Sequence, residues 1–492
     1  MTNWLQRLAG LRWRLRNRIT GTALRNSERS RRDLLDEIYY LRDVAGERGQ
    51  RIAALQARVD TLQAELAAYA GSVRLVSAKP SHEDDITSSE DLSDECRDAA
   101  PCLFVDVTEL AIKGGQTGIQ RVVREILRAL LAGPPDGYRV EAICATSGRS
   151  YRYARTFARG LCPDLAPNGP DAPISTQKGD VFLGLDHSMG ATMERAAALD
   201  AMRQQGVRLW FVCNDCLPLS HPEWFPPEVN ATFKAWLGTI VQVADGIACI
   251  SHTTEDELRR RMDVLQPVRQ RPLRLGHFHL GADVPTDFAV AKADVASDQA
   301  ATLDGLRTIP SFLTVGTLEP RKGYAQGLEA FELLWERGED VAWVIVGLPG
   351  WMTEIVQRRI RHHDEFGRRL LWFIGANDPW LEKLYATCTA LLAPSEGEGF
   401  GLPLIEAARH GLPILCRDLP VFREVAGEHA MYFSGRDAES LARAISTWLD
   451  AWRSDAVPTT QGMHWITWAE SARQLMGVVL GEAAAVEPRR SS

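Results

Sequence analysis

The sequence predicts an α/β protein with two Rossmann-like domains facing a cleft, preceded by an amphipathic helix and a coiled coil. Its 492 residues exceed what a single hydrophobic core usually spans. Short apolar strands alternate with helical stretches in two successive regions, which indicates parallel βαβ units. Hydrophobic residues make up 45% of the chain and charged residues 24%, which excludes whole-chain disorder and a multi-span membrane protein.

The first 32 residues predict a basic amphipathic helix. Leu5, Leu8, Leu11, Leu15 and Ile19 recur at steps of three and four, and nine arginines stand against one acid. The segment is too polar to span a bilayer, but Trp, Leu and Arg in this arrangement suit an anionic membrane surface. Docking on a protein partner or on the body of the protein itself is the alternative.

A heptad pattern follows from Leu34 to Tyr69 and predicts a coiled coil through which the chain self-associates. Arg48 interrupts the seam between Gly46 and Gly49, so two shorter coils, or one amphipathic helix folded on the body, are alternatives. Residues 83–98 then hold eight acids against one base, as in a flexible acidic linker.

The first globular domain is expected to begin with the buried strand "LFVDV", and further strands are predicted at "VFLGL", "RLWFVCND" and "GIACIS". The second repeats the rhythm at "FLTVG", "AWVIVG", "LLWFIG", "ALLAPS", "PILCRD" and "MYFS". The resulting segments are a basic helix (1–32), a coiled coil (33–70), an acidic linker (71–101), a first Rossmann-like domain (102–292), a hinge (293–309), a second Rossmann-like domain (310–455) and a C-terminal crossover helix (456–484).

Charge and cysteine content limit the function. A formal net charge of −8 disfavours nucleic acid as a partner. Nine scattered cysteines, with no secretory signal before them, fit the reducing cytoplasm better than a disulfide framework. Cys213 and Cys216 form a C-x-x-C, but no second pair at metal-site spacing accompanies them, so zinc binding or redox chemistry is not favoured.

The block "SEGEGFGLPLIEA" carries the most specific chemistry. Glu398 and Glu406 flank a glycine-rich turn, and Pro403 is well placed to open a helix that carries Glu406. Backbone N–H groups at the start of such a helix favour an anion, while the two carboxylates can hold sugar or ribose hydroxyls.

In "GTLEPRKG", Arg321 and Lys322 follow a strand and are suited to neutralising a diphosphate. No Asp-x-Asp follows an apolar strand, so we expect no metal and no cofactor. Arg321, Lys322 and helix dipoles then stabilise the leaving group.

These two motifs, with "W-x-x-x-A" at Trp465–Ala469, resemble glycosyltransferase family 4, and the resemblance covers roughly residues 102–480. It implies a retaining enzyme of the GT-B fold that uses a nucleotide sugar as substrate, with residues 102–292 as the acceptor domain and residues 310–455 as the nucleotide-sugar domain. It also implies Arg321 and Lys322 on the donor diphosphate, Glu398 on the transferred sugar and Glu406 on the ribose. The remaining expected donor-binding positions are Gly316, Thr317, Asn377, Gly399, Phe400, Gly401 and Leu402.

The first domain, in "DVTEL", "TGIQRVVRE" and "LPLSHPEWFP", is similar to bacterial mannosyltransferases of surface polysaccharide. This similarity slightly favours GDP-mannose as donor, with a glycan or lipid-linked glycan as acceptor. It implies that Thr117, Gly118 and Arg121 face the cleft. Where many relatives carry His-Asp, this chain has Asn214-Asp215. The other cleft candidates are Asp186 and His187, with His221 as a further candidate for the missing histidine.

Retaining relatives imply attack by the acceptor hydroxyl on the face that the leaving phosphate vacates, with a phosphate oxygen taking the proton. A dehydrogenase is disfavoured because the spacing is G-x-G-x-G and no ribose-binding acid follows a first strand. A sugar-nucleotide epimerase and a non-catalytic adaptor in a polysaccharide assembly complex are the alternatives. Turnover without an acceptor would favour the epimerase, and failure to bind any nucleotide sugar would favour the adaptor.

Overall fold

The structure is a computed structural model. It describes residues 100–481, except 115–116, 146–149, 266–268, 270 and 284–296, together with residues 485–486. The predicted basic helix and coiled coil, and the predicted linker up to residue 99, lie outside the described residues. The described chain forms two α/β domains, each built on one sheet, and this confirms the predicted fold class.

The first sheet has eight strands in the order β14-β7-β6-β5-β4-β1-β2-β3. The β7–β14 and β2–β3 pairs are antiparallel, and the others are parallel. The strands are β1 (Cys102–Asp106), β2 (Arg139–Cys144), β3 (Arg152–Tyr153), β4 (Val181–Gly184), β5 (Arg208–Cys213), β6 (Gly246–Cys249), β7 (Leu273–His277) and β14 (Ala485–Val486).

Helices cover this sheet, and buried apolar residues lie beneath them. They are α1 (Thr108–Lys113), α2 (Gly118–Ala132), α3 (Arg155–Leu161), α4 (Met189–Glu194), α5 (Ala196–Gln204), α6 (Leu217–Ser220), α7 (Pro227–Val243) and α8 (His252–Leu265), with a 3₁₀ turn at Pro222–Trp224.

The second sheet has six parallel strands in the order β10-β9-β8-β11-β12-β13. Its central strands are almost wholly buried, as expected when helices cover both faces of a parallel sheet. The strands are β8 (Ser311–Val315), β9 (Ala342–Val346), β10 (Leu370–Phe373), β11 (Ala390–Ala393), β12 (Ile414–Arg417) and β13 (Ala430–Phe433).

The helices of the second half have recognisable sequence causes. In α15, Asp437 accepts a hydrogen bond from the Ser440 backbone N–H as a cap, and buried apolar residues recur along one face. The helices are α9 (Ser297–Leu306), α10 (Tyr324–Glu336), α11 (Glu354–Arg361), α12 (Asp378–Thr387), α13 (Leu402–Arg409), α14 (Pro420–Ala426), α15 (Ala438–Arg453) and α16 (Trp468–Leu480), with a 3₁₀ turn at Pro320–Lys322. Thus residues 297–306 of the expected hinge are helical.

Helix α16, inside the segment expected to cross over, packs on the first domain although it follows the second in sequence. It contacts α2, β6 and β7 and buries Leu475 and Val479. None of the helices in the described residues combines the length and apolar character that crossing a bilayer requires.

The order of the second sheet places a topological switch point between β8 and β11. From β8 the chain proceeds outward through β9 and β10, and from β11 it proceeds the other way through β12 and β13. Loops at the carboxyl ends of β8 and β11 therefore diverge around a crevice, which is where ligands bind in open parallel sheets.

Candidate active site

The chemistry of the second domain is concentrated where β8 and β11 end. β8 leads into the 3₁₀ turn that carries Arg321 and Lys322, and β11 leads into the loop that carries Glu398. Because the two strands are parallel neighbours, both loops leave the same edge of the sheet. The sheet topology therefore brings together the two cations and the carboxylate expected from the sequence.

Glu398 lies between the two cations. Lys322 Nζ is 2.5 Å from Glu398 Oε1, and Arg321 Nη1 is 2.9 Å from Oε2. Ser395 Oγ donates a further hydrogen bond to Oε1 at 2.8 Å. Arg321 Nε also donates to Glu319 Oε2 at 3.0 Å. Two cations and two carboxylates thus form one neutral, largely buried network.

Burial and charge oppose each other at Glu398. Burial alone would raise the pKa of this carboxyl, but Lys322 and Arg321 outweigh burial and lower the pKa to about 2. Burial raises the pKa of Glu319, and Arg321 and Lys322 only partly offset that effect. Glu398 is therefore the firmly ionised carboxylate of the pair.

Glu406 occupies a second carboxylate position further along the cleft. Gly401 starts α13 with a left-handed φ of 104°, a conformation that favours glycine, and Glu406 lies on the buried side of that helix. Tyr385 donates from its hydroxyl to Glu406 Oε2 at 2.5 Å, and Arg121 of the first domain pairs with Oε1. Both carboxylate oxygens therefore have partners, one of them from across the cleft.

Helix α2 of the first domain delivers Arg121 to that position. Thr117 caps α2 in a reciprocal capping box with Gln120, and Gly118 is the first residue of the helix. Glu406 raises the pKa of Arg121. Thr117, Gly118 and Arg121 thus lie together at the start of α2. Of the three, Arg121 contacts the second domain, through Glu406.

Two of the expected cleft residues make contacts within the first domain. The Asp186 carboxylate accepts hydrogen bonds from the backbone N–H groups of Leu110, at 2.7 Å, and His187, at 2.8 Å. Burial raises the pKa of Asp186 and lowers that of His187. The His187 ring lies against Phe233 and Trp236. Asp186 therefore fastens α1 to the end of β4.

Asn214 and Asp215 lie directly against the glycine-rich loop. A Cβ atom built on Gly399 would stand 1.9 Å from the Asn214 carbonyl oxygen and 3.2 Å from Asp215 Cβ. Asp215 Oδ1 accepts a hydrogen bond from the Leu217 backbone N–H at 3.0 Å. Position 399 is thus open only to glycine when the domains are in contact.

The remaining residues expected to bind the sugar donor lie in the second domain. Gly316 accepts a hydrogen bond from the Tyr324 hydroxyl at 2.6 Å, and Thr317 follows it at the end of β8. Asn377 caps α12 by accepting from the Trp380 backbone N–H. Phe400 is buried, and Leu402 is the first residue of α13.

Sequence reasoning missed several residues that join the domains: Ser251, Thr254, His279 and Glu424. It also missed Tyr385, which donates to Glu406 within the second domain. Ser251 could have been found, because "SHTTEDEL" has the composition of a capped helix start. The other contacts depend on tertiary structure.

Cys213 and Cys216 are buried free thiols. Throughout the described part of the chain, no cluster of three or more His, Cys, Asp or Glu side chains is arranged to hold a metal ion.

Residues 307–465 match the family model "Glycosyl transferases group 1". The chain is 39% identical over 376 residues to the serotype-specific mannosyltransferase WbdA of Escherichia coli. That alignment covers 76% of this chain and 46% of the relative, so the chain spans about half the length of this relative.

Solved structures show the same two-domain GT-B fold. The sucrose-phosphate synthase of Thermosynechococcus elongatus superposes with a TM-score of 0.52 at 17% identity, covering 76% of this chain and 97% of that one. The catalytic domain of starch synthase IV from Arabidopsis thaliana superposes with a TM-score of 0.52 at 13% identity, covering 78% and 99%.

The low pKa of Glu398 predicts a specific acid sensitivity. A carboxyl whose pKa falls from 4.5 to about 2 on folding adds stability that is complete above pH 4.5 and is lost as the pH falls through 2. This contribution is about 3 kcal/mol at neutral pH. In urea unfolding from pH 6 to 2.5, the stability difference between wild type and Glu398→Gln should therefore shrink.

Glu354→Gln, an exposed position in the same domain, is the matched control. A wild-type advantage over Glu398→Gln that stays constant across this pH range would contradict the assigned charge state.

Proposed function

From the match of residues 307–465 to the group 1 glycosyl transferase model, we propose that the chain is a retaining glycosyltransferase acting without a metal. It moves a sugar from a nucleoside diphosphate to a glycan or lipid-linked glycan in surface polysaccharide synthesis. The observation that carries the proposal is the pairing of Arg321 and Lys322 with Glu398 at the switch point of the second sheet.

The cations supply the leaving-group chemistry. Arg321 offers a planar fork of donors and Lys322 a compact charge, a combination suited to a diphosphate. Both already point toward one carboxylate, so they are held in place before a ligand arrives. As the bond from the sugar to the phosphate breaks, charge develops on the diphosphate, and fixed cations in a largely buried site stabilise it strongly.

Glu398 accepts a hydrogen bond from a hydroxyl of the transferred sugar and thereby orients the anomeric carbon of that sugar. The acceptor hydroxyl then attacks the face that the diphosphate leaves, and a diphosphate oxygen takes its proton. One bond from the anomeric carbon to phosphate breaks, one bond to the acceptor oxygen forms, and the configuration is retained. Positioning rather than a covalent enzyme intermediate carries this reaction.

Glu406 serves the other end of the donor. Its carboxylate lies on the buried side of α13, where it can hold the ribose hydroxyls of the nucleotide. The similarity to a mannosyltransferase favours mannose as the transferred sugar and GDP-mannose as the donor.

We further propose that residues 1–32 bind an anionic membrane facing the cytoplasm, while residues 34–69 self-associate. Each arginine near such a surface contributes on the order of 1 kcal/mol, and two helices in a dimer strengthen attachment. Full-length protein should float with anionic liposomes at low salt, and protein lacking residues 1–32 should not. Recovery of the full-length protein only in the soluble fraction contradicts membrane binding.

The proposed reaction is tested with GDP-, UDP- and ADP-linked sugars in the presence of EDTA. We expect one donor to be consumed, with an acceptor-dependent product whose anomeric configuration matches that of the donor by NMR. Activity lost on chelation and restored by Mg²⁺ or Mn²⁺ would show that the proposal of a metal-independent site is wrong.

Arg321→Ala and Lys322→Ala should each lower the turnover number, because each removes a cation from the leaving diphosphate. The loss should correspond to about 2–4 kcal/mol of barrier, by analogy with deleted oxyanion contacts. Arg337→Ala removes an exposed cation of the same domain and is the control. Near-normal turnover in the double variant Arg321→Ala/Lys322→Ala would refute the assignment.

A further inference from the structure

The first turn of α8, together with Ser251 before it, contacts the second domain at the glycine-rich loop. Ser251 Oγ donates a hydrogen bond to the Gly399 carbonyl oxygen at 2.7 Å, and Thr254 Oγ1 donates to the same oxygen at 3.1 Å. Ser251 Oγ in turn accepts from the Thr254 backbone N–H at 3.0 Å. Both side chains are buried, at 0% and 3% exposure, so two desolvated hydroxyls hold a single carbonyl.

The same turn receives a carboxylate from α14. Glu424 accepts from the backbone N–H groups of His252 at 2.7 Å and Thr253 at 2.9 Å, and from the Thr253 hydroxyl at 2.6 Å. His279 Nε2 lies 2.8 Å from Glu424 Oε1. A helix of one domain is thus capped by a carboxylate of the other, which favours contact through the positive end of the helix dipole.

These contacts converge on the residues around Glu398. Gly399, whose carbonyl is held, follows Glu398 directly, and a Cβ atom at position 399 would collide with the Asn214 carbonyl oxygen. Phe400 contacts the His279 ring at a centroid distance of 5.5 Å. The backbone on the carboxyl side of Glu398 is therefore fixed by the first domain, while its carboxylate is fixed by cations of the second.

We propose that Ser251, Thr254 and Glu424 are positioning residues for sugar transfer, which lock the Glu398–Phe400 segment when the two domains meet. This inference rests on the proposed function. The donor diphosphate and ribose bind to groups of the second domain, so donor affinity is largely independent of this lock. The transfer step depends on it, because small misplacements of an orienting group can cost about a hundredfold in rate.

The hydroxyl of Thr254 offers the cleanest test, since valine keeps the branched shape and removes only the hydroxyl. Thr254→Val should lower kcat at least tenfold and change the dissociation constant of the donor nucleotide by less than twofold. Thr254→Ser, which keeps a hydroxyl, should restore most of kcat. Thr232→Val removes a hydroxyl that bonds within its own helix and should behave as wild type.

Glu424→Gln should resemble Thr254→Val, because it weakens the cap from the other domain. The proposal is overturned if both variants keep the wild-type kcat, or if nucleotide affinity falls by as large a factor as kcat. It is also overturned if Thr254→Ser fails to restore turnover.

Hydrogen exchange of the backbone amides of residues 395–402 gives a readout that does not need activity. Exchange should be faster in Thr254→Val than in wild type or Thr232→Val, and equal exchange also overturns the proposal. If wild type consumes no nucleotide sugar while exchange changes as expected, the proposed function fails and the lock between the domains stands.

Discussion

Burial of the Glu398 carboxylate constrains the loops that follow β8 and β11. A charge removed from water must be paired and hydrogen-bonded, and Arg321, Lys322 and Ser395 together meet that demand. These partners come from loops after two different strands, so the site depends on β8 and β11 being neighbours. Glu398 thus pairs with the same two cations that we propose to hold a diphosphate.

Contacts with the first domain extend this constraint across the cleft. Arg121 pairs with Glu406, and the Asn214 carbonyl lies where a side chain at position 399 would be. Glu406, proposed to hold the ribose, therefore contacts the first domain directly. Glu398, proposed to hold the sugar, is linked to the first domain through the backbone of Gly399. The same residues thus form both the site and the contact between the domains. Such an arrangement suits a reaction that requires a closed, water-poor cleft.

The architecture was largely predictable because parallel strands buried on both faces are continuous apolar runs. All six strands of the second sheet coincide with such runs. β2 and β7 escaped notice because polar residues interrupt them: β2 contains Glu141, buried with Arg155 as its partner, and β7 contains Arg274 and His277. The burial of Glu141 depends on a partner that the local pattern does not show.

The site was predictable only within each motif. Motif spacing and family resemblance indicated Arg321, Lys322, Glu398 and Glu406, but local sequence cannot show that Glu406 meets a residue 285 positions away or that Gly399 meets one 148 positions away. Local sequence likewise does not show that the carboxylate of Asp186, a candidate for the cleft, accepts a hydrogen bond from the Leu110 backbone N–H of α1. Contacts between the domains form only in the tertiary structure, and they determine which polar residues are available to bind substrate.

The central claim is that Arg321 and Lys322 form a site for a diphosphate, and calorimetry of the intact chain tests it most directly. GDP, UDP and ADP are titrated beside the corresponding monophosphates, with EDTA present throughout. The account predicts that one diphosphate binds with one-to-one stoichiometry and at least tenfold more tightly than its monophosphate. Equal affinity for the two, or no binding of any diphosphate, would contradict it.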